Sequence, residues 1–93
     1  MPRSEYDGMR YDDPRAQAEF ERLLAEVRAA EQSREPIQQR HREAERNMDI
    51  GSVSDSEYRS VDSQYIAANN KIAAAKKKVN EFLARNKDYR VDR

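Results

Sequence analysis

The chain has 93 residues, of which 37% are hydrophobic and 39% are charged, so it can form one small domain with a limited core. Its 18 basic and 18 acidic residues cancel, which excludes a general attraction to nucleic acid or to an anionic membrane. Because Cys is absent and His occurs once, disulfides, thiolate chemistry and metal sites built from Cys or several His are excluded as well.

The first 13 residues mix charged side chains with two tyrosines and a methionine, and they show no apolar period. We therefore expect residues 1–13 to form an extended or disordered arm. Aromatic residues and Met bury a large area at a low entropic cost, so Tyr6, Met9 and Tyr11 are expected to dock this arm on a partner as an extended peptide. A frayed terminus with solvated tyrosines is the alternative.

The dipeptide Asp13-Pro14 is typical of a helix start, because Asp caps free amides and Pro suits the first turn. From there, residues that are apolar or small at all but two of ten positions recur in alternating steps of four and three, which is a heptad repeat. The pattern predicts a first helix over 14–48, with a heptad seam formed by its a and d positions. The a positions are Phe20, Val27, Arg34, His41 and Met48, and the d positions are Ala16, Leu23, Ala30, Ile37 and Ala44.

Pro36 interrupts the first heptad stretch, since proline lacks an amide hydrogen and crowds the carbonyl group of Gln32. The heptad register nevertheless continues unchanged on both sides of Pro36. This continuity favours one helix that is kinked near Pro36. Two separate helices, the second capped by Ser33, are the alternative.

A break in the pattern predicts a turn over 49–55, where Gly51 suits the left-handed conformation that ends a helix. Ser54 and Glu57 then form a Ser-x-x-Glu capping box, which is typical of a helix start. A second heptad stretch predicts a helix over 56–87, followed by a tail at 88–93. Its seam residues are Tyr58, Val61, Tyr65, Ala68, Ile72, Ala75, Val79 and Phe82.

Two heptad stretches joined by a short turn must pack antiparallel, so the predicted fold is all-α, an antiparallel two-helix hairpin over 14–87 that resembles a coiled coil. A first helix of about 50 Å predicts a rod. Pairing outward from the turn places His41 beside Tyr65 and Arg34 beside Ile72. Polar residues at a positions often set the helix register, although Arg34 could instead extend its stem over Ile72 towards water.

No pattern indicates an enzyme. His41 has only Glu45 one turn away as a further metal ligand or acid–base partner, and the serines near the turn are explained by capping and solvation. We therefore expect no catalytic residue, no cofactor, no metal and no small-molecule substrate.

Apolar residues outside the heptad seam are the predicted protein contacts. Leu24 and Leu83 lie beside the seam, and Ile66 forms a shallow stripe on the second helix with Ala67, Ala73 and Ala74. An isolated two-helix hairpin buries little apolar area, so stability is expected to depend on self-association or on a partner. These surfaces are predicted to contact another helix.

The one basic cluster of the chain is formed by Lys71, Lys76, Lys77 and Lys78, and such a cluster can follow a phosphate backbone. Consecutive residues of a helix point in different directions, so the favoured interpretation is a solvated face. Nucleic-acid binding is therefore a third hypothesis, ranked below two kinds of protein binding.

The leading functional hypothesis is a non-enzymatic interaction or assembly protein, a rod that packs into a homo-oligomer or a larger complex such as a virion. The alternative is a small regulator or inhibitor that sequesters a partner protein. No apolar run approaches membrane-spanning length, and the start of the chain lacks the apolar core of a signal peptide. We therefore expect a location in the cytoplasm or within a macromolecular assembly.

Overall fold

The computed structural model of the chain describes residues 6, 8–87 and 90–92. Two long helices pack side by side as an antiparallel hairpin, and two short strands lie near the termini. The molecule measures 56 × 24 × 16 Å, so the predicted hairpin and its rod shape are confirmed. In chain order the elements are β1 (Met9–Tyr11), α1 (Pro14–Asp49), α2 (Asp55–Arg85) and β2 (Arg90–Asp92).

Local capping interactions explain where the helices begin and end. The carboxylate of Asp13 accepts a hydrogen bond from the amide of Ala16 at 3.2 Å, and Ser54 Oγ accepts one from the amide of Glu57 at 3.2 Å. Gly51 has a φ of 76°, a left-handed conformation that side chains with a Cβ rarely adopt. Both helices start within one residue of the predicted positions.

Helix α1 continues without a break through Pro36. The interpretation as one helix is therefore confirmed, and the alternative of two helices with a cap at Ser33 is wrong. Because Pro36 has no amide hydrogen, the carbonyl group of Gln32 receives no hydrogen bond from it. Both residues are exposed, so water can donate a hydrogen bond to this carbonyl group instead.

The best-packed part of the core lies at the open end of the hairpin, the end opposite the turn. Phe20, Val79 and Phe82 are 1%, 0% and 1% exposed, and the two phenylalanine rings stack with centroids 6.0 Å apart. Apart from Arg34 and five alanines, twelve residues were predicted to form the seam, and all twelve are buried or half-buried. Seven of them are buried, namely Phe20, Leu23, Val27, His41, Ile72, Val79 and Phe82, and five are half-buried, namely Ile37, Met48, Tyr58, Val61 and Tyr65.

Met9–Tyr11 of the N-terminal arm form a strand, and the described part of the arm packs on the core of its own chain. Tyr6 and Tyr11 are each 5% exposed, and Met9 packs against the same buried cluster. The ring of Tyr11 meets Phe20 and Phe82 edge-on, with centroids 5.3 and 5.2 Å apart. The prediction that Tyr6, Met9 and Tyr11 dock on a partner is therefore corrected, because these side chains cover the apolar end of this hairpin.

Strand pairing ties the arm to the other end of the chain. Strand β1 pairs antiparallel with β2, and Arg10 lies opposite Val91. The tail predicted from the sequence thus contains a strand. Residues 1–5 and 7 of the predicted arm, and 88, 89 and 93 of the predicted tail, lie outside the described residues. Within the described part, neither helix has an apolar stretch of the length needed to cross a membrane.

Candidate protein-binding groove

An open apolar groove runs along one side of the hairpin, between α1 and α2. Its half nearer the open end has a volume of about 340 Å³, and the half nearer the turn has a volume of about 290 Å³. Ala30, Ser33 and Lys71 line both halves, so the two form one continuous groove, called the alanine groove below. The other lining residues are Glu26, Ala29 and Ile37 from α1, and Gln64, Ala67, Ala68, Ala74, Ala75 and Lys78 from α2.

The groove exists because alanine side chains end at Cβ on both helices. Ala30 and Ala75 belong to the heptad seam and are buried, so they form the floor. Ala29, Ala67 and Ala74 are exposed beside them and form the walls. Helix α2 runs along the groove from Gln64 to Lys78, about 21 Å at the standard rise per residue. This length matches about four turns of a helix.

Charged residues border the alanine groove. Lys78 Nζ lies 3.9 Å from Glu26 Oε2 across the groove, and both side chains are well exposed, so this ion pair is weak. Lys71 lies two helical turns before Lys78 on α2. Within the described residues, no carboxylate lies within ion-pair distance of Lys71. The middle of the groove therefore carries a positive charge that the hairpin itself does not neutralise.

The apolar residues predicted to contact a partner have different surroundings. Leu24 and Leu83 are half-buried and pack against the core cluster of the open end. Ile66 is 50% exposed and does not line the alanine groove. Ala67 and Ala74 do line the groove, although the sequence pattern grouped them with Ile66.

The four lysines predicted to contact nucleic acid do not share one surface. Lys71 and Lys78 line the groove, whereas Lys76 is half-buried and Lys77 is exposed, and neither of these lines it. Neighbouring positions of a helix are rotated by about 100°, which separates the ammonium groups. The lysine run is therefore divided between different faces of α2.

A polar cluster lies between the helices near the turn. His41 is 8% exposed; its Nε2 lies 2.9 Å from Asp62 Oδ1, and its Nδ1 lies 3.4 Å from Glu45 Oε1. The imidazole ring stacks on Tyr65 with centroids 4.5 Å apart, which agrees with the predicted pairing. Both ring nitrogens face carboxylates of this chain, so His41 is placed to join the helices.

The polar cluster near the turn has further ionisable and polar neighbours. Partial burial, together with the carboxylates of Glu45, Asp62 and Asp49, raises the pKa of Tyr58. No group of three or more potential metal ligands occurs among the residues that the structure describes. Two turns of helix further from the turn of the hairpin, the guanidinium of Arg34 donates a hydrogen bond to Asn69 Oδ1 at 3.0 Å and links the helices again.

Comparison with known proteins gives no family. No protein-family model matches the chain, and neither a curated protein nor a solved structure is significantly similar to it. The indications of function are therefore the surfaces of the hairpin, and the alanine groove is an apolar concavity among them.

Proposed function

We propose that this chain is a non-enzymatic protein-interaction module whose alanine groove binds a helix of another protein. The observation that carries the proposal is the groove itself, which is apolar, open along its length and about four helical turns long. Recognition of a helix by an apolar groove is a common mode of protein binding, and its energy comes from burial of the helix's apolar face.

The small size of the lining residues supports a helix as the occupant. Where alanines face the partner, two helix axes can approach to about 8 Å, the short end of the usual range. Close approach increases dispersion contacts along the whole length of the helix. Larger side chains at Ala29, Ala67 or Ala74 would prevent this approach. A third helix in the groove would also complete a bundle, in which each helix packs against two others.

The proposal covers both kinds of protein binding considered from the sequence. A component of an assembly and a regulator that sequesters a partner would use the same groove, and they differ in the number and lifetime of the complexes formed. We assign no catalytic, cofactor-binding or metal-binding residue, since His41 has both ring nitrogens facing carboxylates. The proposal ranks protein binding above nucleic-acid binding because the lysines of α2 lie on different faces.

Two adjacent alanines allow a matched test. Ala73 and Ala74 are both exposed on α2, but only Ala74 lines the groove. Tryptophan in place of Ala74 fills the groove, whereas tryptophan in place of Ala73 makes the same chemical change outside it. Circular dichroism should show that both variants keep the helical content of the unchanged chain.

The experiment selects helix-forming peptides, displayed on phage, against the full chain. The selected peptides should bind the unchanged chain and Ala73→Trp with similar affinity. They should bind Ala74→Trp at least tenfold more weakly, a loss of about 1.4 kcal/mol. Peptides that bind all three proteins equally, or a selection that yields no binder, would contradict the proposal. The nucleic-acid hypothesis would be favoured instead if the chain bound oligonucleotides with an affinity that falls steeply as the salt concentration rises, while its affinity for the peptides changed little.

A further inference from the structure

We infer that the helix in the alanine groove comes from a different protein and carries a carboxylate that faces Lys71. This inference rests on the proposed function and adds the chemical class of the partner. Its two observations are the position of Lys71 in the middle of the groove and the absence of a carboxylate near its ammonium group in the described residues.

A helix in the groove must cover part of Lys71, because this residue lines both halves of the groove. Covering a charged group removes water from it, and that loss is unfavourable unless an opposite charge replaces the water. In the half of the groove nearer the turn, the residues of α1 are Ala30, Ser33 and Ile37, none of which is acidic. The acidic residue of the other half, Glu26, is paired with Lys78. The replacement charge must therefore come from the partner.

The other lysine of the groove does not make the same demand. Lys78 lies at the end nearer the termini and already has Glu26 at 3.9 Å. A carboxylate of the partner near Lys78 would compete with Glu26 for the ammonium group. A carboxylate of the partner near Lys71 would have no such competitor among the described residues. Charge complementarity thus selects a partner with small residues along one face and one acidic side chain near the middle of that face.

A second copy of this chain fits the groove less well. If two copies stacked antiparallel and groove to groove about a two-fold axis, the middle of one groove would face the middle of the other. Lys71 would then lie near Lys71 of the other copy, and like charges repel. The charge at Lys71 therefore favours a partner of different sequence.

The test uses three synthetic helical peptides of about 18 residues, each about 27 Å long as a helix. All three have one face of alanines, bordered on each side by one variable position at the middle of the peptide. The two variable positions are both Glu in the Glu peptide, both Gln in the Gln peptide and both Lys in the Lys peptide. Because a variable residue lies on each side of the alanine face, one of the two lies beside Lys71 whichever way the peptide runs along the groove. Binding is measured by fluorescence anisotropy against the full chain at about 0.15 M ionic strength.

The unchanged chain should bind the Glu peptide at least tenfold more tightly than the Lys peptide, with the Gln peptide between them. Lys71→Glu should reverse this order. Lys77→Glu is the matched control, since it makes the same charge change on an exposed residue of α2 outside the groove, and it should keep the original order. Sedimentation of the chain alone should show a monomer.

Several results would overturn the inference. Equal binding of the three peptides, or a reversal by Lys77→Glu as complete as by Lys71→Glu, would show that Lys71 does not select the partner. A dimer that Ala74→Trp dissociates would show that a second copy fills the groove. If none of the peptides binds, the inference fails, while the phage selection still tests the proposed function independently.

Discussion

The two ends of the hairpin are held together by different interactions. At the open end, Phe20, Val79 and Phe82 are almost completely buried, and the arm covers them with Tyr11. Near the turn, most interface residues are half-buried, and a polar contact between His41 and Asp62 joins the helices. Apolar burial contributes in proportion to area and tolerates small shifts, whereas a hydrogen bond requires a narrow geometry.

The difference indicates a division of roles along the rod. The open end should supply most of the folding free energy, because it buries the largest side chains. The polar contacts of His41 and Arg34 should contribute less energy, but they specify which residues of the two helices face each other. The alanine groove lies between these regions, where small side chains leave the hairpin's surface concave.

The strongest test of this division is removal of a ring from the open end. Phe82→Ala should lower the free energy of unfolding by about 3–5 kcal/mol, since it opens a cavity beside Phe20 and Tyr11. Urea denaturation followed by circular dichroism measures the change. Ile66→Ala, at a half-exposed position, should change the free energy by only about 0.5 kcal/mol. If both variants lost a similar free energy of unfolding, the open end would not be the main source of stability.

The arm can be tested separately from the helices. Tyr11→Ala should lower the free energy of unfolding by about 2 kcal/mol while leaving the helical content unchanged, because its ring covers Phe20 and Phe82 but lies outside both helices. Amide chemical shifts by NMR should change around those two residues and not near the turn. Arg10→Ala, on the exposed side of the same strand, serves as the control. An unchanged stability for Tyr11→Ala would refute packing of the arm on the core.

A double-mutant cycle measures the polar contact near the turn. His41→Ala and Asp62→Ala should show a coupling energy of about 1 kcal/mol, which is typical of one hydrogen bond between side chains. Arg34→Ala combined with Asp62→Ala should show almost no coupling, since Arg34 bonds to Asn69 instead. A coupling near zero for His41 and Asp62 would mean that this contact does not hold the register.

The smallest expected effect concerns alkaline pH. Because the pKa of Tyr58 is raised, the folded chain holds the phenolic proton more tightly than the unfolded chain, whose tyrosine titrates near 10.0. The contribution of Tyr58 to stability is therefore full below that pH and is lost as the pH rises above it. Unfolding free energies measured over this range should fall less steeply for Tyr58→Phe than for the unchanged chain. Parallel curves for the two proteins would contradict the assignment.

The helices and their pairing were predictable from the sequence because they depend on local interactions and on periodicity. Asp13 and Ser54 cap helices through residues three positions away, and Gly51 adopts its left-handed conformation within the turn. The heptad repeat places the apolar residues on one face of each helix. A short turn then leaves antiparallel packing as the outcome, which brings His41 onto Tyr65 as expected.

The position of the arm was not predictable in the same way. Its aromatic residues have no period, and they could bury against this chain or against a partner with equal local plausibility. Strand β1 pairs with β2, which lies near the opposite end of the sequence, and this pairing is possible only because the hairpin brings the two strands to the same end of the rod. Contacts between residues so far apart in the chain leave no local pattern.

The alanine groove depends in the same way on the packing of two helices. Periodicity placed Ala67 and Ala74 outside the heptad seam, in a shallow stripe with Ile66, whereas in the structure they line the groove together with Ala29 of the other helix. An alanine on one helix is a small side chain and nothing more. It becomes part of a groove only when another helix lies beside it at a fixed register and rotation, because concavity is a property of two surfaces together.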